Sequence, residues 1–221
     1  MNYPSNSLGL KWDLVLDAFK FCVEADNRPY TRRGILSRVN SFFDPLGLIA
    51  PTTIQGRLLL RKVSSTEDWD SPLPKDLSDE WEHWVESLQD LNTLKVPWTY
   101  SPVPIYDASC KDIHVFSDAS EKAIGTVAYI RTFDDDGNPH LGFIFGKSRL
   151  APTQGHNILR LKLCAAVLAV EVAESIVQHL NANVSNNGDS TRMSQTVKRV
   201  SVSLQYLLSG LMSRQTRTLP I

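Results

Sequence analysis

The chain has 221 residues, of which 42% are hydrophobic, and this is enough for one large or two small domains with ordinary cores. Its 23 basic and 24 acidic residues nearly cancel, which excludes an overall cationic field, so nucleic-acid binding would need a local basic patch. The three cysteines are far apart in the sequence, which favours reduced thiols over a disulfide framework or a zinc site.

The N-terminal part of the chain is predicted to be mainly helical after a short β-hairpin. Apolar and polar residues alternate between Leu8 and Val23, which predicts two short strands around Asp17. Apolar residues at three- and four-residue spacing then predict a helix from Thr31 to the Asp44-Pro45 turn.

Two further helices are predicted before the middle of the chain. The run TTIQGRLLLRKVSS predicts a helix capped by Thr52 or Thr53. The next helix is predicted to begin near Ser78 and to bury Trp81 and Trp84. Six basic side chains lie on the outer sides of the first two predicted helices: Arg32, Arg33, Arg38, Arg57, Arg61 and Lys62.

A change of pattern follows the segment 97–109, whose three prolines predict a domain boundary. Three runs rich in β-branched and aromatic residues predict strands over Ile113–Asp118, Ala123–Phe133 and His140–Arg149. The second and third runs are separated by DDDGNP, which predicts a hairpin turn. We therefore expect an antiparallel sheet with the first strand at its centre.

A long helix is predicted from Ile158 to Leu180 and is expected to pack across that sheet. Its buried stripe is predicted to consist of seven residues: Leu159, Leu163, Ala166, Val167, Val170, Ala173 and Val177. Residues 181–221 are polar and rich in Asn, Ser and Thr, and only 206–212, YLLSGLM, is apolar enough to become buried. We find neither a leader-like N-terminus nor a run near the roughly 18 apolar residues of a membrane span, so we expect an intracellular protein, cytoplasmic or nuclear, without a membrane partner.

Three blocks of the sequence together resemble the polyprotein of Pao/BEL-type retrotransposons. They are TRRGILSRVNSFFDPLGLIAPTTIQGRLLL, WDSPLPKDLSDEWEHWVESLQDLNTLKVP, and IHVFSDASEKAIGTVAYIR with KSRLAPTQGHNILRLKLCAAVLAVEVA. In that family the first two blocks belong to the thumb and connecting region of the reverse transcriptase, and the third begins the ribonuclease H domain. The polymerase's own paired-aspartate motif does not occur in this chain.

The resemblance implies an α+β fold in three parts. Residues 1–105 would form an α-rich thumb/connection region with a short β-hairpin, and residues 106–180 a partial ribonuclease H-like β-β-β-α unit. Residues 181–221 would be a divergent, poorly ordered tail. The implied partners are nucleic acid, in the form of an RNA/DNA hybrid, and the other pol segments of the parent polyprotein.

The catalytic site implied by the resemblance is incomplete in this sequence. Two-metal hydrolysis of a phosphodiester needs several carboxylates around two Mg²⁺ ions about 4 Å apart. Asp118 in FSDAS matches the first ligand position, but Lys162 stands where the family pattern Arg-Leu-Glu-Leu-Cys has its glutamate. Asp189 is a weak candidate for the third ligand. We therefore expect no cofactor, with Asp118 as a Mg²⁺ ligand only if the chain is active, and we predict an ion pair between Lys162 and Asp118.

Three functions remain open from the sequence. The first is a non-catalytic remnant of a pol polyprotein that retains some nucleic-acid binding, and the second is an active Mg²⁺-dependent ribonuclease H-type nuclease. The third is an aspartic peptidase or a protein-interaction module, because this family region has also carried a peptidase label. Asp44 lies in Phe-Phe-Asp-Pro, without the Asp-Thr-Gly or Asp-Ser-Gly loop of an aspartic peptidase, which favours a turn.

Overall fold

A computed structural model of the chain describes residues 10–23, 28–63, 68–97, 99, 111–154, 157–186 and 199–204. The chain divides into two compact units, Met1–Trp98 and Thr99–Ile221. The division falls within the proline-containing segment 97–109. Each unit has a hydrophobic core of its own.

In the described part of the chain, the first unit contains three α-helices and a small antiparallel sheet. Its elements in chain order are β1 (Leu10–Asp13), β2 (Ala18–Phe21), α1 (Arg32–Val39), α2 (Ala50–Val63), a 3-10 turn (Lys75–Leu77), α3 (Ser78–Gln89), a second 3-10 turn (Asp90–Thr93) and β3 (Lys95–Pro97). The strand order is β1-β2-β3, with antiparallel pairing throughout. The predicted hairpin around Asp17 is confirmed, and Asp17 itself has a positive φ of 46° in the turn.

The helix ends differ in part from the prediction. The Thr31 hydroxyl caps α1 by accepting a hydrogen bond from the Gly34 N–H at 3.1 Å, as expected, but α1 already ends at Val39. The predicted threonine cap of α2 is wrong, because α2 begins at Ala50 and Thr53 lies inside it. The Asp44 carboxylate accepts the backbone N–H groups of the turn that leads into α2, so no threonine cap is needed.

The core of the first unit depends on one close approach between helices. Trp84 of α3 is 2% exposed, and its indole N–H donates to the Thr52 carbonyl oxygen at 3.0 Å. A Cβ placed on Gly56 of α2 would overlap the Trp84 ring and lie 2.8 Å from Cγ2 of Val39. Only glycine therefore allows α2 to pack this closely against the indole.

The second unit is a four-stranded sheet with a long helix on one face, in the residues that the structure describes. Its elements are β4 (Lys111–Ala119), β5 (Ala123–Phe133), β6 (Pro139–Leu150), α4 (Ile158–Asn186) and β7 (Arg199–Leu204). The strand order is β6-β5-β4-β7, in which β4 pairs antiparallel with β5 and parallel with β7. The three predicted strands and the interior position of the first are confirmed.

The sequence analysis missed β7 and the last turns of α4. β7 lies inside the segment that was assigned to a tail, and it adds a parallel strand on the free side of β4. The segment contains the alternation Val200-Ser-Val202-Ser-Leu204, which is typical of a strand. This short signal was outweighed by the polar composition of the residues around it.

The helix α4 packs on the sheet through a face that agrees only in part with the prediction: Ala173 is buried and Val177 packs against the core, as predicted. Its buried residues are Leu161, Ala165, Leu168, Ala169, Val172 and Ala173. Leu159, Leu163, Val167 and Val170, predicted to be buried, are 70%, 66%, 59% and 51% exposed. The prediction failed because both faces of this helix are apolar, so periodicity alone could not distinguish them.

By length and composition alone, Ile158–Leu180 is long and apolar enough to cross a membrane, contrary to the sequence expectation. In the fold its alanine-rich face is packed against β4 and β5. The core helix of a globular unit meets the same criterion, so composition does not distinguish the two cases.

Candidate functional site

Asp118 lies near the end of the interior strand β4, as predicted. Its main chain is paired with Gly125 of β5, and its side chain is 9% exposed. The last residue of β7, Leu204, is paired with Ser117, so Asp118 lies one residue beyond the end of that pairing. The strand therefore presents this carboxylate at the same end of the sheet at which β7 ends.

Asp118 lies on the face of the sheet opposite to α4. Ile113 and Val115 of β4 pack in one cluster with Ala169 and Val172 of α4. Because successive side chains of a strand point to opposite faces, the odd-numbered residues of β4 face α4 and Asp118 faces away. Carboxylate and helix are thus on different sides of the sheet.

Lys162 lies in the second turn of α4 and is half-buried next to the buried Leu161. The predicted ion pair with Asp118 is not among the salt bridges of the described residues, none of which involves Asp118. The prediction relied on the wrong buried stripe of α4, and it neglected the alternation of side chains along β4. The lysine still occupies the helix position at which the resemblance places a glutamate.

Apart from Asp118 and Lys162, the described residues contribute little to the implied metal site. Asp189 lies outside the described residues, so its position as a ligand stays a prediction. Within the described ranges, no three His, Cys, Asp or Glu side chains come together as a group that could hold a metal ion. Next to Asp118, the Ser117 hydroxyl is buried without a hydrogen-bond partner, a feature the sequence did not indicate.

Two of the six basic residues that were predicted to bind nucleic acid form ion pairs with acidic side chains of the first unit. The Arg33 guanidinium donates to both carboxylate oxygens of Asp70, at 2.7 and 3.0 Å, and this contact raises the pKa of Arg33. The Lys62 ammonium donates to Glu80 at 2.7 Å. Both pairs are exposed, so each contributes little to stability and a phosphate can compete for the cation.

The other four basic residues differ in their exposure. Arg38 is 4% exposed, which makes it a poor candidate for contact with a phosphate. Arg32 is stacked on Trp69, with its guanidinium carbon 3.9 Å from the ring centroid. Arg57 is exposed and Arg61 is half-buried, and they are four residues apart on α2, which places them on one face of the helix.

Asp44 has a structural role in the first unit. Its two carboxylate oxygens accept the backbone N–H groups of Leu48 at 2.8 Å and of Ile49 at 2.9 Å. Burial raises the pKa of Asp44 above its usual value, against the opposite effect of these hydrogen bonds. The carboxylate thus fixes the turn before α2, in agreement with the interpretation of Asp-Pro as a turn.

The sheet face that carries Asp118 also carries an aromatic row that the sequence analysis did not identify. Phe116 contacts Tyr129 edge-on with the ring centroids 6.2 Å apart, and Tyr129 contacts Phe143 with the centroids 6.0 Å apart. The three rings come from β4, β5 and β6, which are adjacent in the sheet. Their alternating positions in three strands could have indicated this row.

The topology, with an antiparallel three-strand meander, a long helix and a fourth strand parallel to the first, is that of a ribonuclease H-like unit. The family model described as "Pao retrotransposon-like RNaseH-like domain" matches residues 31–188. The chain belongs to this family. The expected origin in a retrotransposon and the expected α+β fold are confirmed.

One solved structure similar to the chain is described as the foamy viral protease-reverse transcriptase dRH in complex with ds DNA. The sequence identity is 14% and the TM-score is 0.46, and the alignment covers 100% of this chain. The chain spans 39% of the length of that protein. No curated protein matches the chain.

Proposed function

We propose that this chain is a non-catalytic ribonuclease H-like segment of a retrotransposon-derived pol polyprotein, which retains weak nucleic-acid binding. The observation that carries the proposal is Lys162 in the second turn of α4. An ammonium at this position supplies no oxygen ligand and repels Mg²⁺, which binds through oxygen.

The position of Asp118 supports the same proposal. A two-metal site needs carboxylates that converge on both ions. Within the described residues, no three His, Cys, Asp or Glu side chains form a group that could hold a metal ion, so no further carboxylates converge with Asp118 there. No cofactor enters the proposed function. Mg²⁺ belongs only to the alternative of an active nuclease, with Asp118 as one ligand.

The test of this proposal is a cleavage assay on an RNA/DNA hybrid with Mg²⁺ or Mn²⁺. We expect no cleavage above that of an Asp118→Ala variant, which is the matched control for contaminating nuclease. We also expect Lys162→Glu to remain inactive. Turnover that Asp118→Ala abolishes would overturn the proposal and establish the active nuclease.

The proposed binding of nucleic acid involves α2. Arg57 and Arg61 lie on one face of this helix, and Lys62 follows at its end with only an exposed acidic partner. Phosphate contacts of this kind are independent of the base sequence and release counterions, so they weaken as salt is added. In the cell we place the protein in the cytoplasm or nucleus, with the other pol segments of its polyprotein as further partners.

Fluorescence anisotropy with a labelled RNA/DNA hybrid over a series of salt concentrations tests the binding. We expect Arg57→Ala and Arg61→Ala each to reduce the slope of log K against log salt by about 0.9, as one lost phosphate contact does. The matched control is Lys95→Ala, an exposed lysine of β3 in the same unit, which should leave the slope unchanged. Equal slopes for all variants, or no binding at low salt, would contradict the role of α2.

A further inference from the structure

The outer face of α4 carries an apolar stripe that no described residue covers. The stripe consists of Leu159, Leu163, Val167 and Val170, each more than half exposed. Four large aliphatic side chains side by side on one helix are unusual on a globular surface and indicate a contact surface. Further along the same face the stripe gives way to the exposed acid Glu174.

The flanks of α4 can be assigned to the two sides of the sheet. Glu171 lies 3.9 Å from Arg149 of β6, so its flank of the helix is on the β6 side. At about 100° per residue, Leu159 and Val170 lie on the other flank relative to the buried face. The strand order β6-β5-β4-β7 places that flank on the β7 side.

The chain leaves the sheet beside the beginning of this stripe. β7 runs parallel to β4 and ends at Leu204, which is paired with Ser117. At that end of β4, Ala119 packs against Leu161 and Ala165 of the first turns of α4. β7 therefore ends at the same end of the sheet as the first turns of α4.

The sequence after β7 matches the stripe in length, polarity and charge. Residues 206–212, YLLSGLM, are apolar, and they are followed by Arg214 and Arg217. This apolar run spans about 10 Å as a helix and about 20 Å as an extended chain, and the stripe from Leu159 to Val170 is about 17 Å long. If this segment runs in the same direction as α4, its apolar residues meet the stripe and its arginines meet Glu174, which follows the stripe.

We propose that residues 206–212 dock on the apolar stripe of α4, with Arg214 and Arg217 next to Glu174. The occupant of this surface is thus the chain's own segment beyond β7. The contact would complete the second unit on its β7 side. It is independent of the proposed function and would hold for an active or an inactive chain.

The test uses a cysteine in the stripe as a reporter. Leu163→Cys is made in a Cys164→Ser background, and its alkylation rate is followed by peptide mass spectrometry in the full chain. The same reporter is placed in a chain that also carries Leu207→Ser, Leu208→Ser and Leu211→Ser. We expect the reporter to react about tenfold faster in the substituted chain, as for a site released from a local closed state.

The native Cys164 is the matched control. It is exposed and directly follows Leu163, and its side chain points away from the apolar stripe, toward the flank on the β6 side. Its alkylation rate, measured without the reporter, should be the same with and without the serine substitutions. A faster reaction of Cys164 as well would signal unfolding of α4 rather than release of the segment. In that case a variant with substitutions at surface charges distinguishes release of the segment from unfolding of α4.

The surface variant exchanges charges at the end of the stripe. Glu174→Arg should speed alkylation of the Leu163→Cys reporter, and Arg214→Glu with Arg217→Glu in the same chain should slow it again. Reporter rates equal to that of Cys164 in every chain would overturn the proposal. So would protection that rises with protein concentration and survives the serine substitutions, because a second copy would then cover the stripe.

Discussion

The two compact units of this chain fill their cores with side chains of different size. In the first unit the most buried residues include Phe21, Trp84 and Leu88, which fill the space between helices and sheet. In the second unit, Ala128 of β5 and Ala165 and Ala169 of α4 are each 0% exposed. Alanines at the contact let α4 lie close to the sheet, and in the first unit Gly56 allows a similar close approach of α2 to the large Trp84 ring.

Among the described residues, the second unit has an apolar helix face that is left exposed, and the helices of the first unit have none. On α4, Leu161, Leu168 and Val172 are buried with the alanines, whereas four other leucines and valines lie on the face away from the sheet. In the first unit the large side chains of each helix reach into one shared cluster. The second unit therefore leaves apolar surface of α4 exposed, which the proposed docking of residues 206–212 would bury.

The largest expected effect comes from removing a large side chain from the first core. Trp84→Ala should cost about 3–5 kcal/mol of unfolding free energy, because the deletion leaves a cavity next to Gly56 and removes the indole hydrogen bond to the Thr52 carbonyl. Urea unfolding followed by far-UV circular dichroism measures this loss. Trp12→Ala, at a side chain that is 48% exposed, is the control and should cost far less. Equal losses would contradict the assignment of Trp84 to the core.

A pair of substitutions on neighbouring residues of α4 tests the close approach of helix and sheet. Ala169→Leu should destabilise the chain by about 1–3 kcal/mol, because Ala169 is fully buried against β4. Val170→Ser, at a position that the described residues leave 51% exposed, should cost less, about 1 kcal/mol, because it weakens only the contact proposed with residues 206–212. The urea midpoints of both variants provide the measurement. A larger loss for Val170→Ser than for Ala169→Leu would reverse the assignment of the two faces.

The smallest expected effect is a pH dependence of the β5–β6 hairpin. Hydrogen bonds from His140 and from Asn138 lower the pKa of Asp134 from 3.8 to about 2. Since the pKa is lowered in the folded state, the carboxylate stabilises the hairpin above pH 3.8, and this contribution is lost as the pH falls through about 2.

Titration of the Asn138 amide shift should therefore give a midpoint near pH 2 rather than near 3.8. Asp134→Asn should abolish this titration and leave the rest of the second unit unchanged. A midpoint at the ordinary value of an aspartate would show that the turn does not hold the carboxylate in this way.

Most elements could be predicted from the sequence, because local signals were strong. The hairpin around Asp17, the Thr31 cap and the three strands of the meander each rest on neighbouring residues and short-range hydrogen bonds. β7 could not be found with the same certainty, because its short alternation lies in a polar segment and its strand is formed by pairing with β4. Register with a distant strand is not a local property.

For the candidate site, the sequence by itself determined which chemical groups are available. Asp118 in FSDAS and Lys162 in Arg-Leu-Lys-Leu-Cys are facts of the sequence, and so is the loss of an oxygen ligand that the lysine implies. The tertiary structure alone decided where these groups lie. It placed Asp118 on the sheet face away from α4, and it chose Leu161 and Ala169 rather than Leu163 and Val170 for the core. The physical reason is that α4 is apolar on both faces, so periodicity cannot select the buried face, and the packing of Leu161 and the alanines against the sheet does.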